Sequence, residues 1–167
     1  MIICVTGSSG TGKTNIAKAL ARKLRYKYVD VNKIIKYKHL RHKYIKKLDT
    51  YEIDDAELNK ILTSIIKKNQ NIVIDSHLSH YLPKKYVDYC VVCRCDLRVL
   101  KKRLEKRKYP YDKIRENLDS EIFDVCFIEA FEKGHKVIAI ETGRKDINGC
   151  VDEIIKKISL SKSSLPV

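Results

Sequence analysis

Gly7-Ser8-Ser9-Gly10-Thr11-Gly12-Lys13-Thr14 spells GxxxxGK[ST] and separates two segments of different period. Ahead of it, Met1-Ile2-Ile3-Cys4-Val5-Thr6 is a short apolar run of strand type; behind it, Ile16, Ala17, Leu20, Ala21 and Leu24 recur at helical spacing. The context is strand, glycine loop, helix. That geometry turns successive backbone N–H groups inward around an anion and adds the positive end of a helix dipole, so a triphosphate is held with few side chains. Gly10 and Gly12 let the backbone turn and approach, Lys13 reaches the outer phosphates, and the Thr14 hydroxyl is placed to ligate Mg²⁺. A glycine-rich turn that binds nothing is the plain alternative. It is disfavoured because four constrained positions match by accident in a chain of this length only about once in a few hundred sequences.

A length of 167 residues suggests one domain, large enough to bury roughly two thirds of its unfolded surface. No apolar run is long enough to span a bilayer, and Met1 leads directly into the first strand, so a cytosolic, non-membrane protein is expected. The six cysteines are expected to stay free, as thiols do where ATP is used. Within the strand expected over Tyr86 to Cys95, alternation points Cys90 away from the face shared by Cys93 and Cys95, so the three do not converge on one metal ion. The formal net charge of +14 favours polyanions, whether nucleotide phosphates or RNA; a Lys- and Glu-rich surface also suits a protein from a hot environment.

A second strand is expected over Tyr26 to Val31. The basic stretch that follows, Lys33 to Lys47, holds Lys33, Lys36, Lys38, Arg41, Lys43, Lys46 and Lys47 with Tyr37, His39, His42 and Tyr44 between them. Interleaved aromatics and cations suit a nucleotide or single-stranded RNA, and equally a solvated helix face. Asp54 with Glu57 reads as a capping box opening a helix with the stripe Leu58, Ile61, Leu62, Ile65 and Ile66. Asn71 to Asp75 is a buried strand ending in a carboxylate, the place from which an acid orients Mg²⁺ or its waters beside a phosphate loop. His77 follows just beyond that strand's end, where open α/β sheets bind ligands; His80 lacks such support.

Asp96 is an expected N-cap for a helix over Leu97 to Arg107, with Leu97, Leu100 and Leu104 on its buried face. Arg103 and Arg107, four apart, point the same way and could clamp a transferring phosphoryl group, unless they belong to a solvated basic face with Lys101, Lys102 and Lys106. After Pro110 one long helix is expected, with Ile114, Leu118, Ile122 and Val125 on one side, ending near Gly134. A fifth strand over Lys136 to Ile140, a helix carrying Val151, Ile154, Ile155 and Ile158, and a frayed tail over Ser159 to Val167 complete the chain.

Five strands alternating with helices make a three-layer α/β fold with a parallel sheet. With Asp75-Ser76-His77 after the third strand, Arg103-Leu104-Glu105-Lys106-Arg107-Lys108-Tyr109 after the fourth, and Glu116-Asn117 with Glu121, the sequence resembles the small adenylate kinases of archaea and the eukaryotic nucleus, from Met1 to about Ile158. That family is also linked to small ribosomal subunit assembly. The resemblance implies a P-loop fold with strand order 2-3-1-4-5, a nucleoside monophosphate flap over about Asp30 to Ile53, and a short lid over about Lys106 to Glu116. The lid lacks cysteine, which excludes a zinc-bearing lid. It further implies that Gly10, Gly12, Lys13, Thr14 and Asn15 hold ATP, that Arg107 reaches its phosphates, and that Asp75 with His77 forms the Walker B pair. Lys108 stands where the family's lid usually has glycine. Lys36 stands where the flap commonly has the arginine that binds the monophosphate, with Arg41 close enough in sequence to compensate.

The expected activity is reversible phosphoryl transfer from MgATP to AMP, giving two ADP. The rival expectation is an ATP-driven assembly switch gripping a small-subunit ribosomal protein or rRNA, with ATPase activity. A kinase for another small acceptor such as shikimate shares the same loop and sheet.

Overall fold

The computed structural model describes residues 1–163. Its centre is a five-stranded parallel sheet of β1 (Ile2–Thr6), β2 (Lys27–Asp30), β5 (Ile72–Asp75), β6 (Tyr89–Cys95) and β7 (Val137–Thr142). The spatial order is β2-β5-β1-β6-β7, which among the sheet strands alone is 2-3-1-4-5. All five of β1's residues are buried, as suits a central parallel strand covered on both faces.

The period of two in the strands sorts their side chains into two cores. Ile2 and Cys4 of β1, Ile72 and Ile74 of β5, and Cys90 and Val92 of β6 pack beneath α2 (Val31–Tyr37), α3 (Asp55–Lys67) and α6 (Val125–Glu132), against Val31, Ile35, Leu58, Leu62 and Ala130. Ile3, Val5, Val73, Val91, Cys93 and Ile140 face the other way, onto Ile16, Ala17 and Leu20 of α1 (Lys13–Leu24) and Val151, Ile154 and Ile158 of α7 (Ile147–Ser163). Cys90 and Cys93 thus lie on opposite faces, and the six cysteines are free. Leu100 and Leu104 of α4 (Leu97–Lys106) form a third cluster with Cys95, joined by Ile114 and Leu118 of α5 (Tyr111–Ile122).

The caps fall where the side chains predicted. Asp54 accepts a hydrogen bond from the Glu57 amide at 2.9 Å, and Asp96 from the Arg98 and Val99 amides at 2.9 and 3.3 Å.

Four expectations are corrected. The stretch after α2 is not helical: β3 (Arg41–Ile45) and β4 (Thr50–Ile53) form an antiparallel hairpin. With both strands exposed or half-buried it carries no apolar alternation for a sequence reader to find; Tyr44 against Tyr51, ring centroids 5.0 Å apart, and Arg41 over Tyr51 hold it across the strands. The long helix after Pro110 is two helices, broken at Asp124, whose φ of 53° is left-handed. Tertiary contacts account for the break: Arg94 binds the Asp124 carboxylate through Nε at 2.9 Å and through Nη2. Leu97 and Ile122 are 40% and 55% exposed, so neither belongs to a buried face. Finally, α7 continues to Ser163, further than the expected fraying point, while 164–167 lie outside the described residues. Strand ends move by one to three residues at β2, β5, β6 and β7.

Register places the carboxyl ends of three strands side by side. Val5 pairs with Asp75 and Thr6 with Val92, so the glycine loop leaves β1 beside the acid that ends β5. That edge is where an open α/β sheet binds its ligand.

Candidate active site

Gly7 is obligatory for steric reasons. Its φ is 139°, and a Cβ there would lie 2.4 Å from the Cys93 carbonyl oxygen. A Cβ on Gly10 would meet Leu100 and Leu104 at 2.8 and 2.9 Å, so the loop lies directly on α4. Gly12, at φ 96°, is the N-cap of α1, which opens with no capping side chain and no acid in its first turn. The helix start therefore presents its amides and positive dipole end without a protein anion to satisfy them.

The loop is tied down on every side. Thr11 Oγ1 donates to the Ser8 carbonyl at 2.9 Å, the Ser9 amide to Asn117 Oδ1 at 2.9 Å, and Arg103 Nη1 to the Gly10 carbonyl at 3.3 Å. Thr142 Oγ1 binds the Thr11 carbonyl. Lys13 Nζ reaches the Ser8 carbonyl at 3.3 Å. Burial pulls the Lys13 ammonium below the usual lysine value, with the nearby Asp75 carboxylate opposing the drop. A cation held in part-dry surroundings gains most when an anion arrives.

Asp75 is buried, and its two oxygens differ. Oδ2 accepts from the Tyr28 hydroxyl at 2.8 Å, whereas Oδ1 has no hydrogen-bond partner. Burial and the bond to Asp75 push the Tyr28 phenol well up, so it stays a donor. An orphaned carboxylate oxygen and a half-buried threonine hydroxyl, Thr14, are hard-oxygen donors of the kind Mg²⁺ prefers with its remaining waters. The residues present therefore fit the ion. His77 keeps one open side toward the cleft; crowding by the surrounding protein and then the Lys13 charge lower its pKa to about 4, so it is neutral at pH 7.

Two cavities meet at the loop. One, of about 550 Å³, is lined by Gly10, Gly12, Asn15, Arg103, Arg107 and the segment from Thr142 to Asn148. The other, of about 850 Å³, is lined by Lys13, Thr14, His77, Thr50, Tyr51 and residues of α5, and lies between the hairpin and that helix. Arg107 lines both. A mainly apolar hollow between α2 and α3, lined by Ile34, Tyr37, Ile61 and Ile65, contains no part of the loop or of the acid and is not the site.

A model of the AAA domain family matches residues 3–124. A Methanocaldococcus jannaschii protein named "Putative adenylate kinase" is 40% identical over 97% of this chain and 88% of its own length, and a Pyrococcus abyssi protein of the same name is 38% identical over 93% and 82%. The chain belongs to this family of P-loop kinases. Solved structures extend the likeness to the fold alone: shikimate kinase from Acinetobacter baumannii superposes with a TM-score of 0.70 at 15% identity, covering 98% of this chain and 95% of that one, and the Aquifex aeolicus enzyme with 0.63 at 18%, covering 99% and 100%.

Within this kinase, the structure brings Gly10, Gly12, Lys13, Thr14, Asn15, His77, Arg103 and Arg107 to the paired cavities, with Asp75 buried beside them. Arg41 reaches the rim only through its stacking on Tyr51, 4.8 Å from the ring centroid. Lys36 is exposed on the last turn of α2 and lines neither cavity. Sequence reasoning gave no role to Tyr28, Asn117 or the segment from Thr142 to Asn148. Tyr28 meets Asp75 across 47 residues of chain, which leaves no local signal. The last of these was detectable in principle, as a glycine-bearing turn just past the end of the edge strand.

Proposed function

We propose that this protein is an adenylate kinase that moves the terminal phosphoryl group of MgATP to AMP and back, giving two ADP. The observation that carries the reading is the pair of cavities meeting at one phosphate loop, with Arg107 in the wall of both. In this reading the donor's nucleoside enters the smaller cavity, its phosphates lie over Gly10 to Thr14, and the acceptor enters the larger one beneath the hairpin. The hairpin with α2 then acts as the flap and the α4–α5 junction as the lid. Such lids exclude the water that otherwise hydrolyses ATP.

The chemistry needs no protein nucleophile. An oxygen of the acceptor's phosphate, already anionic, forms the new P–O bond while the bond between the terminal phosphorus and the β–γ bridging oxygen breaks, and that oxygen's charge stays on the departing ADP. The transition state is loose, so alignment and charge neutralisation dominate. Lys13, Arg103 and Arg107 supply positive charge from three sides. Thr14 and Asp75 would hold Mg²⁺, directly or through water, and when bound it supplies further neutralisation of the β- and γ-phosphate oxygens. His77, neutral at pH 7, orients by hydrogen bonding and contributes no charge.

The test is ADP production from MgATP with and without AMP. Wild type is expected to depend strongly on AMP, and Lys13→Ala to lose about 10²–10³-fold in kcat, the usual effect of removing one such group. Near-normal turnover in Lys13→Ala, or ADP formation indifferent to AMP, overturns the assignment.

A second reading, an ATPase switch in ribosome assembly, draws on the basic, aromatic surface of α2 and the hairpin, where Tyr37, Tyr44 and Tyr51 are exposed. The relatives compared above carry only the kinase name. AMP-independent hydrolysis stimulated by RNA or by a ribosomal protein favours that reading, and a screen of other acceptors, shikimate included, separates the remaining kinase chemistries.

A further inference from the structure

His80, to which the sequence assigned no part in the chemistry, is buried with hydrogen bonds at both ring nitrogens. Nδ1 lies 2.8 Å from Thr6 Oγ1, and Nε2 lies 2.9 Å from Glu129 Oε2. Thr6 is the last residue of β1, immediately before the phosphate loop. Its Oγ1 also lies 3.1 Å from the carbonyl oxygen of His77, two residues past Asp75. We propose that His80 and Glu129 are positioning residues that act through the Thr6 hydroxyl to hold the main chain of Asp75 to His77 for phosphoryl transfer; this rests on the kinase reading above.

A threonine hydroxyl has one hydrogen, and here it faces two acceptors. With neutral His80, Nε2–H donates to the Glu129 carboxylate, Nδ1 carries a lone pair, and the Thr6 hydrogen satisfies it; the His77 carbonyl then loses this donor. With His80 protonated, both ring nitrogens donate, Nδ1–H to the Thr6 oxygen and Nε2–H to Glu129. The Thr6 hydrogen is then free to turn to the His77 carbonyl. Other bonds hold this loop in either state, among them the Ser76 amide to the Val5 carbonyl at 3.2 Å, so the protonation state of the buried ring decides one further anchor, the Thr6 bond to the His77 carbonyl, which forms on the acid side.

Charges around the ring set the balance. Burial is the largest influence and lowers the pKa of His80; Glu129 from α6 opposes it, while Lys133 and His135 add to the fall. His135 donates from Nε2 to the His80 carbonyl at 2.8 Å, and its own Nδ1 has no hydrogen-bond partner. Tyr81, which is adjacent to His80, donates to Glu129 Oε1 at 3.0 Å and carries Lys133 over its ring at 4.5 Å. Cys126 also faces Glu129, with burial raising its thiol so that it is uncharged. His80, Tyr81 and Glu129 all line the larger cavity, the one that the proposed reaction gives to the acceptor. An arriving dianion favours the protonated ring, and so the Thr6 anchor, at the moment both substrates are present.

The experiment combines ¹⁵N NMR titration of the imidazoles with kcat and KM for MgATP between pH 5 and 9, on wild type, Glu129→Gln, Thr6→Val and Thr6→Ser. Expected for wild type is a neutral His80 with its proton on Nε2 and an apparent pKa that rises when nucleotide is added. Glu129→Gln, which removes the favourable charge, is expected to lower that pKa by about one unit or more. Thr6→Val is expected to reduce kcat about 3–10-fold and flatten the pH profile with KM changed less than about twofold, and Thr6→Ser to restore both; these are the magnitudes of losing one hydrogen bond to a positioned loop. Identical pH profiles in all four proteins, or a His80 whose proton sits on Nδ1, overturn the proposal even where every variant folds. Failure of the kinase reading appears separately, as absence of AMP-dependent turnover in wild type. It overturns the kinetic half of the proposal, while the titration still decides the couple.

Discussion

Asp75 carries two identical oxygens that the fold makes unequal. Tyr28 occupies Oδ2, and Oδ1 is left buried and bare. Removing the phenol hydroxyl leaves a second buried acceptor unsatisfied and frees the carboxylate to rotate. Tyr28→Phe is therefore expected to cost about 1–3 kcal/mol of stability, a fall in Tm of roughly 2–12 °C, and to raise the Mg²⁺ concentration for half-maximal turnover several-fold. Differential scanning fluorimetry and a magnesium titration of the AMP-dependent rate check both. An unchanged magnesium requirement would show that Tyr28 does not orient Asp75. Of these two residues, the acid was readable at the end of a buried strand; its partner was not, because it lies on another strand 47 residues earlier.

Elements were legible where their pattern repeated locally. The helices with apolar stripes and Asp caps, α3 and α4, begin where their sequences say they should. The α5–α6 break was invisible because no glycine or proline marks it, and Asp124 is drawn into left-handed backbone by Arg94 on β6. Two substitutions separate the backbone from the ion pair. Asp124→Gly and Asp124→Ala both delete the carboxylate, but only glycine adopts a φ of 53° freely, so the glycine variant is expected to melt about 2–4 °C above the alanine variant, for about 1 kcal/mol of relieved strain. Equal melting points would place the break's origin elsewhere. Lys108, at φ 56° in the α4–α5 junction, sits where the resembled family usually places glycine, so that junction accepts a strained lysine instead.

At the scale of the molecule, two cavities share one phosphate loop and one arginine, so a ligand filling both should bind more tightly than either half. A nucleotide with adenosine at both ends of a polyphosphate, at about 100 times its Kd, is expected to stabilise the protein by about 2.7 kcal/mol and raise Tm by roughly 5–11 °C, and to lose much of that in Arg107→Ala. A shift no larger than that of ATP at the same ligand concentration would mean the cavities do not act together. Charge is also distributed at this scale: Lys113 Nζ of α5 donates to the Asp49 carbonyl of the hairpin turn at 2.8 Å, and Lys47 lies 3.7 Å from Asp112. These exposed contacts are weak and salt-sensitive, as opening of the proposed flap would require.

By itself the sequence determined the phosphate loop, the parallel three-layer sheet and the placing of Asp75 and His77 at its carboxyl edge, because glycine geometry, caps and hydrophobic period act over a few residues. Tertiary structure alone decided the hairpin, the break at Asp124, the pairing of Tyr28 with Asp75 and the burial of His80 between Thr6 and Glu129. Each of those depends on contacts between chain segments far apart in sequence, whose energies exceed the small local preferences that a sequence displays.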